Sequence, residues 1–325
     1  MKRFAATAAV ALLATGCNYK PSSVGRARDV LVFTEHKEVI EQELAFALGK
    51  QIFTPQPAKE FIVRYMEPAE IANRLTQHGI LIVGFESDSL INSLFPDLSA
   101  NDSFALYRIN DVWAKNQSVL VFMARDTLSM LLGLKAVRSK IHEVFKYRLL
   151  QRLQAMTYGK GEDAELSEDI ETYGFKLKVP KEWLLDERFA EHNFIWVHAH
   201  EPDRSIFIYW EDKERPEVSR EAMLSLRDSL TARFYEGDYL DSTFTTAGPS
   251  YFRASEAIRI EGVWQNDSMI VGGPMIGFSF NEGGRFWMID AMLFYPAPPT
   301  KKVFWLNQLE VILATFEPLK ASKSD

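Results

Sequence analysis

Apolar and polar positions change their period several times along the 325 residues. Asp29–Thr34 (DVLVFT) is a short apolar run rich in β-branched residues and predicts a strand. Glu35–Leu48 places Val39, Ile40, Leu44, Ala47 and Leu48 at helical spacing, and Gly49 supplies a stop. Phe61–Met66 predicts a strand, and Glu67–His78 a helix with Pro68 near its first turn and Gly79 at its end. Ile80–Phe85 (ILIVGF) is apolar throughout, as a central strand covered on both faces would be. Phe104–Ile109 and Ser118–Met123 predict two more strands. From Asp126 to Met156 the pattern is helical, with a break expected near Gly133. Alternation of this kind predicts an α/β layered domain with a mixed sheet over residues 29–157.

The pattern then changes. Residues 158–172 hold two glycines and a cluster of acids with few apolar positions, which predicts a linker. A second domain is expected over 173–319, followed by a tail at 320–325. Phe175, Leu177 and Val179 alternate with charged residues until Pro180 ends the strand. Phe194–His200 and Ser205–Trp210 predict a strand pair around the turn at 201–204. Ser219–Phe234 predicts a helix capped by Ser219, with Ala222, Met223, Leu226, Leu230 and Phe234 on one face. Ala257–Trp264, Met269–Phe280 and Arg285–Phe294 follow as strands, the last two joined through Asn281–Gly284 as a hairpin turn. Lys301–Phe316 closes the pattern as an amphipathic helix. The expected class is therefore α/β (α+β), two layered domains, the second largely antiparallel.

Composition adds location. Lys2 and Arg3, the apolar run Phe4–Leu13 and the small residues Ala14-Thr15-Gly16 are the three parts of an export leader over residues 1–16. The apolar run is too short for a bilayer-spanning helix, which needs about 20 residues. Cys17, the only cysteine in the sequence, follows directly. Cleavage before Cys17 resembles the processing of bacterial lipoproteins, in whose lipobox leucine is usual where Ala14 stands here, with Leu13 one place earlier. A cysteine there carries acyl chains, each buried methylene contributing about 0.8 kcal/mol, so that several chains anchor stably. Residues 17–28 are polar, contain Pro21 and Gly25, and read as a tether. The membrane is thus one expected partner, through acylated Cys17. The expected location is the cell envelope, lipid-anchored to the outer membrane and facing the periplasm. A net charge of −7 without a basic stripe argues against nucleic acid as a partner.

Cys17, the stretch KPSSVGRARDVLVF at Lys20–Phe33 and YGFKLKVPKEW at Tyr173–Trp183 together resemble an uncharacterised Bacteroidota lipoprotein family, a domain of unknown function. Residues 173–316 separately resemble the Mog1/PsbP-like α/β/α sandwich, through the GF-x-L-x-VP-x-x-W opening and the closing LEVILATF at Leu309–Phe316. That resemblance implies a fold that mostly binds or assembles with other proteins. A protein partner in the envelope is therefore expected.

Candidate chemistry is sparse. His198 and His200 share one face of a strand, near Glu201 and Asp203, and could contribute to a metal site or simply end a polar strand. Trp196 and Trp210, on neighbouring strands, could form an aromatic platform or complete a core. Ser250 lacks the G-x-S-x-G spacing of a nucleophile elbow, and the paired glycines at 272–273 and 283–284 fall between strands, where turns and bulges place them. No cofactor is implied. Five Asp-(Ser/Thr) pairs followed by Leu, Met or Thr place Ser89, Thr127, Ser229, Ser242 and Ser268 as candidate O-glycan acceptors in an exported protein. The same dipeptides also begin helices and turns. The sequence reads as a lipid-anchored, non-catalytic binding or assembly module. The alternative is an envelope hydrolase or carbohydrate-binding protein with an aromatic cleft in the second domain.

Overall fold

The computed structural model describes residues 20–235 and 237–319. Cys17, the expected leader before it and the expected tail at 320–325 lie outside the described residues. In chain order the first elements are β1 (Asp29–Phe33), α1 (Lys37–Leu48), β2 (Gln51–Thr54), β3 (Gln56–Lys59) and β4 (Ile62–Met66). Then come β5 (Gly79–Phe85), α2 (Ser89–Leu94), β6 (Phe104–Asn110), β7 (Ser118–Ala124) and the long α3 (Thr127–Thr157). They are followed by α4 (Ala164–Glu171), β8 (Phe175–Lys176), β9 (Leu184–Asp186), β10 (Phe194–Ala199), β11 (Asp203–Glu211) and α5 (Arg220–Phe234). The last are β12 (Tyr239–Leu240), β13 (Thr246–Phe252), β14 (Ser255–Asn266), β15 (Val271–Glu282), β16 (Arg285–Phe294), α6 (Pro299–Leu313) and β17 (Glu317–Pro318).

The described residues form two compact units, one of residues 20–38 and 64–133, the other of residues 39–63, 134–235 and 237–319. The first holds a five-stranded mixed sheet in the order β4-β1-β5-β7-β6. Strands β1, β5 and β7 are parallel, and β6 returns antiparallel to β7. The central pair β5 and β7 is buried almost end to end, which is why both read as continuous apolar runs. Leu31, Phe33, Ile80, Ile82, Val119 and Val121 pack on one face with Ile91 of α2.

Three expectations change here. The helix α3 runs unbroken through Gly133. A Cβ at that position would meet Phe104 at 2.5 Å and Phe122 at 2.8 Å, so the glycine permits close packing instead of ending the helix. The helix expected over Glu67–His78 shrinks to one 3-10 stretch, Pro68–Asn73. Residues 20–28, expected as a free tether, are stitched into the first unit from Ser22 onward. Ser23 N donates to Lys115 O, Val24 N to Thr76 O and His78 N back to Val24 O, at 2.8–3.0 Å. A polar stretch without side-chain period can still spend its backbone groups on pairing.

The second unit is a mixed helix–sheet sandwich. Its eight-stranded antiparallel sheet runs β12-β14-β15-β16-β11-β10-β9, with β13 also on β14. Alternation along each strand divides the residues between two faces. Ile195, Ile208, Trp210, Ile276, Trp287 and Ile289 face α6, packing with Leu306, Leu309, Ile312 and Leu313. Phe194, Trp196, Phe207, Met275 and Met288 face α5, packing with Met223, Leu230 and Phe234. The expected linker at 158–172 contains α4, capped by Asp163 accepting from Leu166 N, with Ile170 anchored in the core.

Candidate functional site

On the α6 side of the large sheet lies a cavity of about 210 Å³. Its floor is β14 and β15, one wall is α6, and the hairpin β2–β3 with α3 closes it. Ile52, Phe53, Ile276 and Leu306 make it largely apolar. Among these stand six charged groups, Lys50, Glu60, Lys146, Arg259, Glu261 and Glu310, and the amide of Asn307.

The charges form one alternating ladder. His142 Nε2 lies 2.6 Å from Glu60, whose other oxygen is 2.8 Å from Lys146 Nζ. Lys146 continues to Glu310 at 2.7 Å, Glu310 to Arg259 at 3.0 Å, Arg259 to Glu261, and Glu261 to Lys50 at 2.9 Å. Lys146 also donates to Asn307 Oδ1 at 2.6 Å, so the three hydrogens of its ammonium each have an acceptor. Burial alone would raise the Glu310 carboxyl, but Lys146 and Arg259 bring it down to about 2. Burial likewise opposes ionisation of Glu60, and the His142 hydrogen bond with the Lys146 ammonium overcomes it, leaving that carboxyl well below its ordinary range. Lys146 is pushed the other way: burial would lower it, yet Glu310 and Glu60 raise it. It is a locked cation, unsuited to act as a nucleophile.

Asn307 is 2 % exposed, and its orientation is fixed by chemistry. An ammonium only donates, so the amide oxygen must face Lys146. The NH₂ group is then left as a buried donor, and Nδ2 has no hydrogen-bond partner among the described residues.

The residues singled out from the sequence lie elsewhere. His198 and His200 do share a face, with ring centroids 5.3 Å apart, and line a separate recess of about 250 Å³ with Trp196, Tyr235 and Trp264. His200 Nδ1 is 2.7 Å from Asp203 Oδ1. Burial, aided by the neighbouring His200, holds His198 below the ordinary histidine range. No group of three His, Cys, Asp or Glu side chains able to hold a metal occurs among the described residues. Trp196 and Trp210 do not make a common platform. Trp196 stands opposite Phe207 on the α5 face, whereas Trp210 is opposite Trp287 on the α6 face, and both are buried.

Ser89, Thr127, Ser229, Ser242 and Ser268 are all exposed. The aspartates before them are structural. Asp88 accepts from Phe85 N and Asp126 from Ser129 N, Asp228 takes Leu240 N, Asp241 takes Thr243 N, and Asp267 takes the Tyr239 hydroxyl. The ladder itself escaped the sequence reading. Its one local signal is a pair of polar residues, Asn307 and Glu310, inside the buried line Val303, Leu306 and Leu313 of α6.

No curated protein matches the chain. Among solved structures, a protein of Bacteroides thetaiotaomicron is similar with a TM-score of 0.29 at 11% identity, over 46% of this chain and 46% of that one. The chain thus spans less than half the length of that protein. A single-residue mutant of the protein Mog1 is similar with a TM-score of 0.33 at 9% identity, over 46% of this chain and 92% of that one. In sequence the chain is similar to two families in succession, Domain of unknown function DUF8532 over residues 23–158 and Domain of unknown function DUF4837 over residues 163–315.

Proposed function

We propose that this chain is a lipoprotein of the Bacteroidota cell envelope, held at the outer membrane by acylated Cys17, whose body is a binding module. The observation that carries the binding reading is the cavity on the α6 face, with its apolar wall and its charged groups already paired to one another. Such a wall is suited to holding a guest, because charges committed to one another are poor participants in proton transfer or attack. The same setting makes a protein partner in the envelope expected, and makes the five exposed hydroxyls candidate glycan acceptors.

The anchor is tested by Cys17→Ser. The variant should lose incorporation of labelled palmitate and leave the membrane fraction. Unchanged labelling and unchanged fractionation would overturn the lipoprotein reading.

A further inference from the structure

We infer that the cavity on the α6 face takes a small uncharged molecule that is mostly aliphatic and carries one acceptor oxygen, such as a carbonyl, received by the Asn307 amide. The inference deepens the binding reading above and rests on it.

Three observations define the guest. The first is charge. The wall carries three cations, Lys50, Lys146 and Arg259, and three carboxylates, Glu60, Glu261 and Glu310, and the ladder pairs each with an opposite neighbour. An anionic guest would have to compete with a glutamate for a cation already held at 2.7–3.0 Å, and a cationic guest would have to displace a lysine or the arginine. A charge brought into the cavity without a partner also loses its hydration. A neutral guest avoids both costs.

The second observation is the unmet donor. Lys146 takes the Asn307 oxygen, so this side chain can offer only N–H. A buried donor without an acceptor is unfavourable by about 1–3 kcal/mol. A guest with an acceptor oxygen removes that penalty, and a purely aliphatic guest does not. The third observation is size and lining. A cavity of about 150 Å³ holds a benzene. The present one, at about 210 Å³, therefore suits a molecule of roughly eight heavy atoms. Ile52, Phe53, Ile276 and Leu306 supply an apolar surface for its chain.

The test uses the full chain carrying Cys17→Ser, so that no detergent competes. Three probes of similar length are titrated: methyl pentyl ketone, hexanoate and heptylammonium. Binding is followed in every variant by nitrogen–proton NMR of the backbone amides, and contact with Asn307 by its side-chain amide signal where that residue is present. The ketone is expected to bind at least tenfold more tightly than either charged probe and to shift the Asn307 signal. Asn307→Asp keeps an acceptor for Lys146 and removes both amide hydrogens, so it should weaken ketone binding tenfold or more. Leu306→Trp fills the cavity while leaving Asn307 in place, and should abolish binding; circular dichroism verifies that each variant is folded. Tighter binding of hexanoate or heptylammonium, or ketone binding unaffected by Asn307→Asp, would overturn the proposed ligand class and leave the cavity as a binding site. Failure of all three probes would reject the ligand class and the binding reading together.

Discussion

The two faces of the large sheet each bury ionised groups, and they handle them in opposite ways. On the α6 face every buried carboxylate touches at least two positively charged or hydrogen-bonding partners, and Glu310 is held at about 2. On the α5 face Arg227 is fully buried and serves Asp290 at 3.5 Å, Asp228 at 3.6 Å and Met292 Sδ at 2.9 Å. Asp290 Oδ1 has no hydrogen-bond partner among the described residues. Burial raises Asp290, and Arg227 offsets only part of that, leaving the carboxyl up at about 6. Burial opposes ionisation on both faces. Connectivity decides the sign: a carboxylate between two cations ionises more readily than in water, and one sharing a single distant guanidinium ionises less readily.

The sharpest way to break this contrast is Lys146→Met. It removes the central cation and leaves Glu60 and Glu310 each short of a partner, so the expected loss is about 3–5 kcal/mol in urea unfolding at neutral pH. A loss below about 1 kcal/mol would mean that the ladder is no better connected than a surface pair.

A smaller effect separates the faces by pH. The unfolded aspartate titrates near 3.9, the folded Asp290 near 6, so between these values the native state binds more protons. Its contribution is full below the unfolded value and is lost as pH rises through 6, by about 2–3 kcal/mol. Glu310 runs the other way: its contribution is present above about 4.3 and is lost as pH falls toward 2. Asp290→Asn should therefore flatten the stability profile between pH 4 and 6, with no effect on the acid limb from Glu310. An unchanged slope in unfolding experiments across that range would show that Asp290 is not the group responsible.

The smallest effect lies at the outer end of the ladder. Lys50, 44% exposed, pairs with Glu261 where solvent screens both. Lys50→Ala should cost only about 0.2–1 kcal/mol, checked by the same unfolding measurement. A cost equal to that of Lys146→Met would show that depth does not grade the ladder.

Most of the framework was legible because burial writes local patterns. ILIVGF and SVLVFM mark the two central strands of the first unit, and the spacing from Met223 to Phe234 marks α5. The hairpin of β2 and β3 was invisible. QIFTPQPAK carries two prolines and no alternation, and its pairing of Ile52 with Ala58 follows from the turn. The short α4 was hidden by its acids, since only Ser167 and Ile170 of its residues are buried. The tryptophans illustrate a deeper limit. Whether Trp196 and Trp210 share a face depends on the parity of the β10–β11 register, which the turn at 201–204 sets and neither strand reveals. The ladder is harder still. His142 and Lys146 stand one turn apart on α3, in line with Leu149 and Leu153, but their partners at 60 and 310 come from distant stretches of chain. Local periodicity cannot match a charge to a neighbour that far away.

The border between the two matched families, near residue 160, has an evolutionary consequence when set beside the cavity. Lys50, Glu60 and Lys146 lie on one side of that border, and Arg259, Glu261, Asn307 and Glu310 on the other. The two stretches therefore share a single charge inventory and cannot be exchanged independently. A homologue that lost Lys146 would need a compensating change at the position of Glu310, and one carrying only the second stretch would need a different lid or an uncharged floor. Descent as a joined pair is the condition under which this sequence of charges stays neutral.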